Sequence, residues 1–190
     1  MSDLSQEGTF RLSDRDAQRI GSPQVHDMNS FRAAIDDFLA QKRIVVAGVS
    51  RDGQSPANAI AKKLRENGYT VFALNPHVDS IDGAPCYPDL AALPEPVDGV
   101  FTVTPPAATE ALARACVEQG IPRLWIHRSL DDSSYSEAAV TYALEHGVTV
   151  IPWGCPMMYV QPDVAHRCMR WLFSTFKRFP KEIEGPRSPA

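Results

Sequence analysis

Short apolar runs rich in β-branched residues alternate along this chain with stretches whose apolar residues recur at three- and four-residue spacing. The first pattern is that of buried strands, the second that of amphipathic helices. The first helical stretch starts at Asn29: Phe31, Ile35, Phe38 and Leu39 share one face, Asn29 or Ser30 can cap the start, and Gln41-Lys42 closes it. A strand follows at Arg43-Ile44-Val45-Val46-Ala47-Gly48. Residues 56–67 read as a helix, with Ser55 as cap, Pro56 at the first helical position and Gly68 just past the end. Strands over 69–74, 99–104, 123–127 and 148–152 continue the alternation, with helices over 106–119 and 133–146 stopped by Gly120 and Gly147. Residues 84–87 read as a short edge strand, because Pro85 has no N–H to give a central ladder. A last helix over 163–177 stacks Val164, Cys168, Leu172 and Phe176 at four-residue spacing.

Strands of four to six residues joined by helices of about a dozen imply βαβ crossovers and therefore a parallel sheet. The strands are apolar on both faces, as helices on both sides of the sheet require. The expected fold class is α/β: a doubly wound, Rossmann-like parallel sheet in a single domain with extra N- and C-terminal helices. The expected organisation is an arm over 1–28, a domain over 29–178 with its core at 43–156, and a tail over 179–190. A length of 190 residues suits one domain with a full core and is too short for two large ones.

Composition narrows the class. Apolar residues make up 44% and charged residues 22%, the balance of a soluble globular protein. A net charge of -4 with scattered basic residues excludes a broad nucleic-acid footprint, and Lys62-Lys63 reads as a solvated helix face. No stretch approaches the roughly 20 apolar residues of a membrane span, and the polar segment from Met1 to Arg19 is not a secretory signal. A cytoplasmic protein with no membrane or nucleic-acid partner is expected. Cys86, Cys116, Cys155 and Cys168 show no Cys-x-x-Cys spacing, and reduced, packed thiols are expected. His146 at a helix end reads as a dipole-compatible cap, His166 as solvated or packed, and His26 is unmarked. No group shows local metal spacing.

Ligands of open parallel sheets bind at the carboxyl ends of the strands, so the segments that follow each strand are the candidates. The first is Gly48-Val49-Ser50-Arg51, continuing to Ser55. Gly48 allows a sharp turn, Ser50 and Ser55 bring hydroxyls, Arg51 brings charge, and a helix starting at Pro56 should aim unsatisfied N–H groups at the loop. It is neither G-x-G-x-x-G, since Ser50 takes the second glycine position, nor a Walker loop. The second strand ends in Asn75-Pro76-His77, where a dinucleotide domain would place an acid for the ribose. Asn75 can still bond a ribose, and His77 can meet a terminal phosphate or stay a solvated loop residue. Thr104-Pro105-Pro106 follow the next long strand, then His127-Arg128-Ser129, then Trp153-Gly154-Cys155-Pro156. His127 and Arg128 are expected to face the cleft and hold phosphate or carboxylate.

Ile44 to Ser50, Asn75-Pro76, Cys86-Tyr87-Pro88, Pro94 to Val103 and Pro105-Pro106 together resemble the stand-alone CoA-binding domain proteins, similar to the CoA-binding domain of the succinyl-CoA synthetase α subunit. The resemblance covers residues 40–156. It implies that Gly48, Ser50 and Arg51 hold the phosphates of CoA, that Asn75 and Pro76 lie against its adenosine, and that Thr104, Pro105 and Pro106 flank the pantetheine and pyrophosphate. The chain departs from the family at Ile126-His127-Arg128-Ser129, where a Gln-x-Gly-like turn is common, and in its extra length at both ends.

Two readings of Cys155 stand beside each other: a structural thiol, or one exposed near the thiol end of CoA, made reactive by His127 or Arg128. Trp153, Met157, Met158 and Tyr159 either cover pantetheine or pack in the core or a subunit interface. Trp171, Phe173 and Phe179 add apolar surface that another copy of the chain, in a homo-oligomer, or the N-terminal helix would bury. No nucleophile elbow or Cys–His pair appears. The resemblance implies that the family's ligase works through a histidine in a second domain, and no such ligase chemistry is expected of these residues. The expected function is binding of CoA or acyl-CoA, as a small-molecule ligand, without catalysis. The alternative is an NAD(P)-binding oxidoreductase or redox sensor, with Arg51 or His77 taking a 2′-phosphate.

Overall fold

In the computed structural model of the chain, which describes residues 28–81, 83–128 and 134–162 together with Cys168 and Trp171, the apolar run Arg43–Ala47 forms β1 in the interior of a seven-stranded sheet. Ile44, Val45, Val46 and Ala47 are all buried, so both faces of β1 are covered, as its unbroken apolar character predicts. The elements run α1 (Met28–Ala40), β1, α2 (Pro56–Glu66), β2 (Thr70–Leu74), β3 (Ser80–Ile81), β4 (Ala84–Tyr87), β5 (Gly99–Thr102), α3 (Pro106–Glu118), β6 (Arg123–Ile126), α4 (Glu137–Glu145) and β7 (Thr149–Ile151). The strands order as β3-β4-β2-β1-β5-β6-β7, parallel except for β3 against β4. This is the expected doubly wound α/β fold. His26, Ser129, His166, the arm over 1–27, the rest of the 163–177 helix apart from Cys168 and Trp171, and the tail lie outside the described residues.

Most element ends fall within one or two residues of expectation, and two differences are larger. The strand with Pro85 is not the edge, because Ser80–Ile81 adds beyond it; β2 pairs only with Cys86 and Tyr87, so Pro85 faces Ser80 alone. The helix expected from residue 133 starts at Glu137, because Ser136 is the cap: its Oγ accepts from the Ala139 N–H at 3.2 Å.

Helices divide the core. On one face α1 and α2 bury Phe38, Ile35, Ile60 and Leu64 against Phe101, Trp125 and Ile151. On the other, α3 and α4 bury Leu112, Cys116 and Val140 against Val45, Val100 and Leu124. Phe38 and Phe101 meet Trp125 edge-on at centroid distances of 5.3 and 5.9 Å. Gly99 leaves room for this packing: a Cβ there would stand 2.8 Å from the Phe38 ring. At the amino ends of the strands Asp98 accepts from the Arg43 backbone N–H at 2.8 Å and from its guanidinium at 2.7 Å, while Arg123 holds Asp37 of α1 at 2.6 Å.

Candidate functional site

Register positions the site. Ala47 pairs with both Leu74 and Thr102, so β1, β2 and β5 end flush and Gly48, Asn75 and Val103 leave the sheet side by side. The chain winds from β1 to β2 on one side and returns to β5 on the other, and the direction of winding reverses between β1 and β5. Ligands of such sheets settle in the crevice at that reversal.

Gly48 has φ +94°, and its N–H donates to the Leu74 carbonyl at 3.1 Å. A Cβ on Gly48 would fall 2.1 Å from the Val103 carbonyl oxygen and 3.3 Å from the Thr104 methyl. The glycine is therefore required by the chain's own backbone just past β5, before any ligand is considered.

Beyond it the loop is tied inward. The Ser50 hydroxyl donates to Asp52 at 2.6 Å and accepts from the Ser55 N–H at 3.1 Å. Ser55 Oγ donates to the Gly48 carbonyl at 2.7 Å and accepts from the Ala57 N–H at 3.2 Å. The Asn58 N–H donates to the Ser55 carbonyl, and Pro56 has no N–H. The expected row of unsatisfied helix N–H groups is thus corrected: the cap and the loop take them. Asp52 also accepts from the Gln54 N–H at 3.0 Å, and the Ser50 bond foremost holds its carboxyl below the usual range. Residues 51–54 of the loop are exposed, and among them Arg51 donates from its guanidinium to the His77 carbonyl at 2.9 Å.

Asn58, which no sequence motif marks, is the clasp of this loop. It is buried, its Nδ2 donates to the Ser50 carbonyl at 2.9 Å and its Oδ1 accepts from the Ser50 N–H at 2.8 Å. A carboxamide in the buried stripe of Ala57, Ile60, Ala61 and Leu64 was the one available signal.

Asn75 works the same way from β2. Its Nδ2 donates to the Val49 carbonyl at 2.6 Å and its Oδ1 accepts from the His77 N–H at 2.8 Å. Both ends of the amide are used within the chain, so Asn75 is a strut between the first and second loops. Pro76 and His77 are exposed beside it, and Val49 is buried beneath. On the β5 side Thr104 is half-buried against Gly48, and Pro105 and Pro106 are exposed at the start of α3.

His127, Arg128 and Cys155 form a separate group on the β6 and β7 side. His127, expected to face the cleft, is buried with its ring edge-on to Phe101 at 6.0 Å. The Arg128 guanidinium lies over the Tyr135 ring at 4.4 Å, and its carbonyl accepts the Gly154 N–H at 3.0 Å. Cys155 is buried, and burial pushes its thiol up to about 11. The exposed, reactive thiol is overturned, because an apolar setting disfavours the thiolate. Trp153 and Met158 are core residues of the same cluster.

The family model described as a CoA binding domain matches residues 42–161, more than half of the chain and every loop just described. The chain belongs to the CoA binding domain family. Among curated relatives, an ADP-forming acetate–CoA ligase of Archaeoglobus fulgidus is 32% identical over 120 residues, 60% of this chain but 18% of the ligase. The chain therefore spans less than a fifth of the length of that enzyme. The protein YneT of Bacillus subtilis, described as uncharacterized, is 27% identical over 65% of this chain and 89% of its own length. Among solved structures, a hypothetical protein from Pyrococcus horikoshii superposes with a TM-score of 0.61 at 26% identity, covering 66% of this chain and 86% of that one. This CoA binding domain carries the loops of its family on a sheet whose strand ends are flush. No helix among its described residues is long and apolar enough to cross a membrane.

Proposed function

We propose that the chain binds CoA or an acyl-CoA in the crevice between the Gly48 loop and Thr104-Pro105-Pro106, with Asn75-Pro76-His77 closing one side, and that it carries or senses the ligand in the cytoplasm without chemistry of its own. The observation that supports it is the convergence of these three loops, in a member of the CoA binding domain family, at the reversal point of the sheet. Arg51 and His77 stand together at the outer rim, where a phosphate of the ligand would meet the Arg51 charge. Gly48, Ser50 and Ser55 use their N–H groups and hydroxyls within the chain and shape the loop, with Val49 buried beneath it. Pro105 and Pro106 give a rigid apolar edge for the pantetheine arm. His127, Arg128 and Cys155 lie at the carboxyl ends of the neighbouring strands β6 and β7, and a buried Cys155 favours a non-covalent complex.

Calorimetric titration with CoA, acetyl-CoA and dephospho-CoA tests the reading. Binding of CoA and acetyl-CoA, with an Arg51→Ala variant weakened, is the expected result; no heat from any of the three at millimolar ligand overturns it. NADPH in the same series separates the dinucleotide alternative. Asn75 speaks against it, having no carboxylate for a ribose and both ends of its amide engaged.

A further inference from the structure

The charge of Arg51 is held by a peptide and not by an acid. Among the described residues its guanidinium bonds the His77 carbonyl at 2.9 Å and enters no ion pair. Asp52, its neighbour in sequence, is spent on the Ser50 hydroxyl and the Gln54 N–H. A guanidinium carries five N–H donors in a planar fork. One of them on a carbonyl sets the plane of the fork and leaves its charge and its other donors for a ligand. The carbonyl is in turn held by Asn75. The Asn75 Oδ1 accepts the His77 N–H at 2.8 Å, and the Asn75 main-chain carbonyl accepts the Val78 N–H at 3.4 Å. Both peptides that flank His77 are therefore tied to one residue, and the second of them carries the carbonyl that Arg51 uses. Asn75 itself is fixed, its N–H donating to the Tyr87 carbonyl at 2.9 Å and its Nδ2 to the Val49 carbonyl at 2.6 Å. In doubly wound sheets that bind nucleotides, the ribose lies at the end of the second strand, and a phosphate on that ribose meets an arginine nearby. Arg51 reaches that place, since His77 stands just past Leu74, the last residue of β2.

We propose that Asn75 is a positioning residue for Arg51: through the His77 peptide it holds the guanidinium at the ribose end of the crevice, where it takes a phosphate monoester on the ligand's ribose. The proposal rests on the reading that CoA binds here, and it names the group that Arg51 meets, the 3′-phosphate and not the pyrophosphate. Dephospho-CoA lacks that group and keeps the rest of the molecule. The ratio of its dissociation constant to that of CoA therefore isolates the contact. A general loosening of the loops weakens both ligands alike and cancels from the ratio.

Calorimetry with both ligands on the wild type, Arg51→Ala, Asn75→Ala and the double variant gives four ratios. Thermal melting confirms that each protein is folded, and Asn75→Leu, which keeps the side-chain volume, is measured beside the alanine variant. The wild type favours CoA by about tenfold, as expected of a charge-assisted pair in a solvated place, and Arg51→Ala loses that preference. Asn75→Ala lowers the ratio about threefold, because a guanidinium released from its carbonyl divides its time among about three staggered positions. In the Arg51→Ala background the change at Asn75 leaves the ratio where it was. An Asn75→Ala ratio equal to that of the wild type, or the same fall with and without Arg51, overturns the proposal. A wild type that binds CoA and dephospho-CoA equally also overturns it and leaves the proposed function standing. Should neither ligand bind the wild type, the proposed function falls by itself. The positioning role is then read in the free protein from nitrogen relaxation of the Arg51 Nε–H. Order in the wild type and motion in Asn75→Ala support it, and the same motion in both overturns it.

Discussion

At the scale of single residues, the site is held largely by side chains that bond to backbone, with the Ser50–Asp52 contact as a side-chain pair beside them. Gly48 has the sharpest requirement. Gly48→Ala combines a disfavoured φ with a Cβ 2.1 Å from the Val103 oxygen. It should cost at least about 2 kcal/mol in denaturant unfolding and abolish CoA binding, since β1 and β5 can no longer close together. Asn58→Ala removes both bonds to the Ser50 backbone. The expected loss is about 1 to 2 kcal/mol of stability, less than for Gly48→Ala because Ser50 is half-buried and water can replace part of it, with weakened CoA affinity. A variant that binds CoA as wild type would show that the clasp is dispensable. The position of the Gly48 loop was legible in the sequence, since it follows the first β-branched run and precedes a proline-started helix. Asn58 was not legible, because the group it serves is backbone eight residues earlier, and only the folded turn brings them together.

At the scale of elements, the joints between helices and strands carry the predictions. Gly99 starts β5 where Phe38 of α1 presses on the sheet, with Arg123 alongside. Gly99→Ala forces a buried ring to move and should destabilise by about 1 to 3 kcal/mol, with a lower melting temperature. Asp98 ties the start of β1 from the β5 side, and the Arg43 hydrogen bond foremost lowers its carboxyl from 3.8 to about 2. A lowered folded value means that the contribution is whole above about pH 4 and is lost as pH falls toward 2. Asp98→Asn should therefore cost about 1 kcal/mol at neutral pH, after allowing for solvent around Arg43, and flatten the acid limb of the stability curve between pH 4 and 2. The longer elements were legible from periodicity and caps. Ser80–Ile81 was not, because two residues hold no period, and the start of α4 shifted because Ser136 outcompetes the earlier serines as a cap.

At the scale of the whole molecule, the doubly wound sheet follows from apolar strands with helices between them, and strand order follows from the side to which each helix returns. The sheet covers the matched 42–161 region and accounts for structural likeness at modest identity to the Pyrococcus protein. The reading of one ligand in one crevice gives a global test. Saturating CoA at about 100 times its dissociation constant should raise unfolding free energy by about 2.7 kcal/mol, seen as a higher melting temperature. An unchanged melting temperature at that ligand level would contradict binding to the folded state.

The ties from Asn58 to Ser50 and from Asn75 to Val49 have a kinetic meaning. Loops already bonded to the framework have no ordering step left to make when the ligand arrives. Association should then be a single phase whose observed rate rises in proportion to CoA concentration, without the plateau that a preceding rearrangement imposes. Stopped-flow mixing followed through the protein's tryptophans reads this directly. The same rigidity makes departure, not arrival, the step through which changes at Gly48, Asn58 and Thr104 are felt.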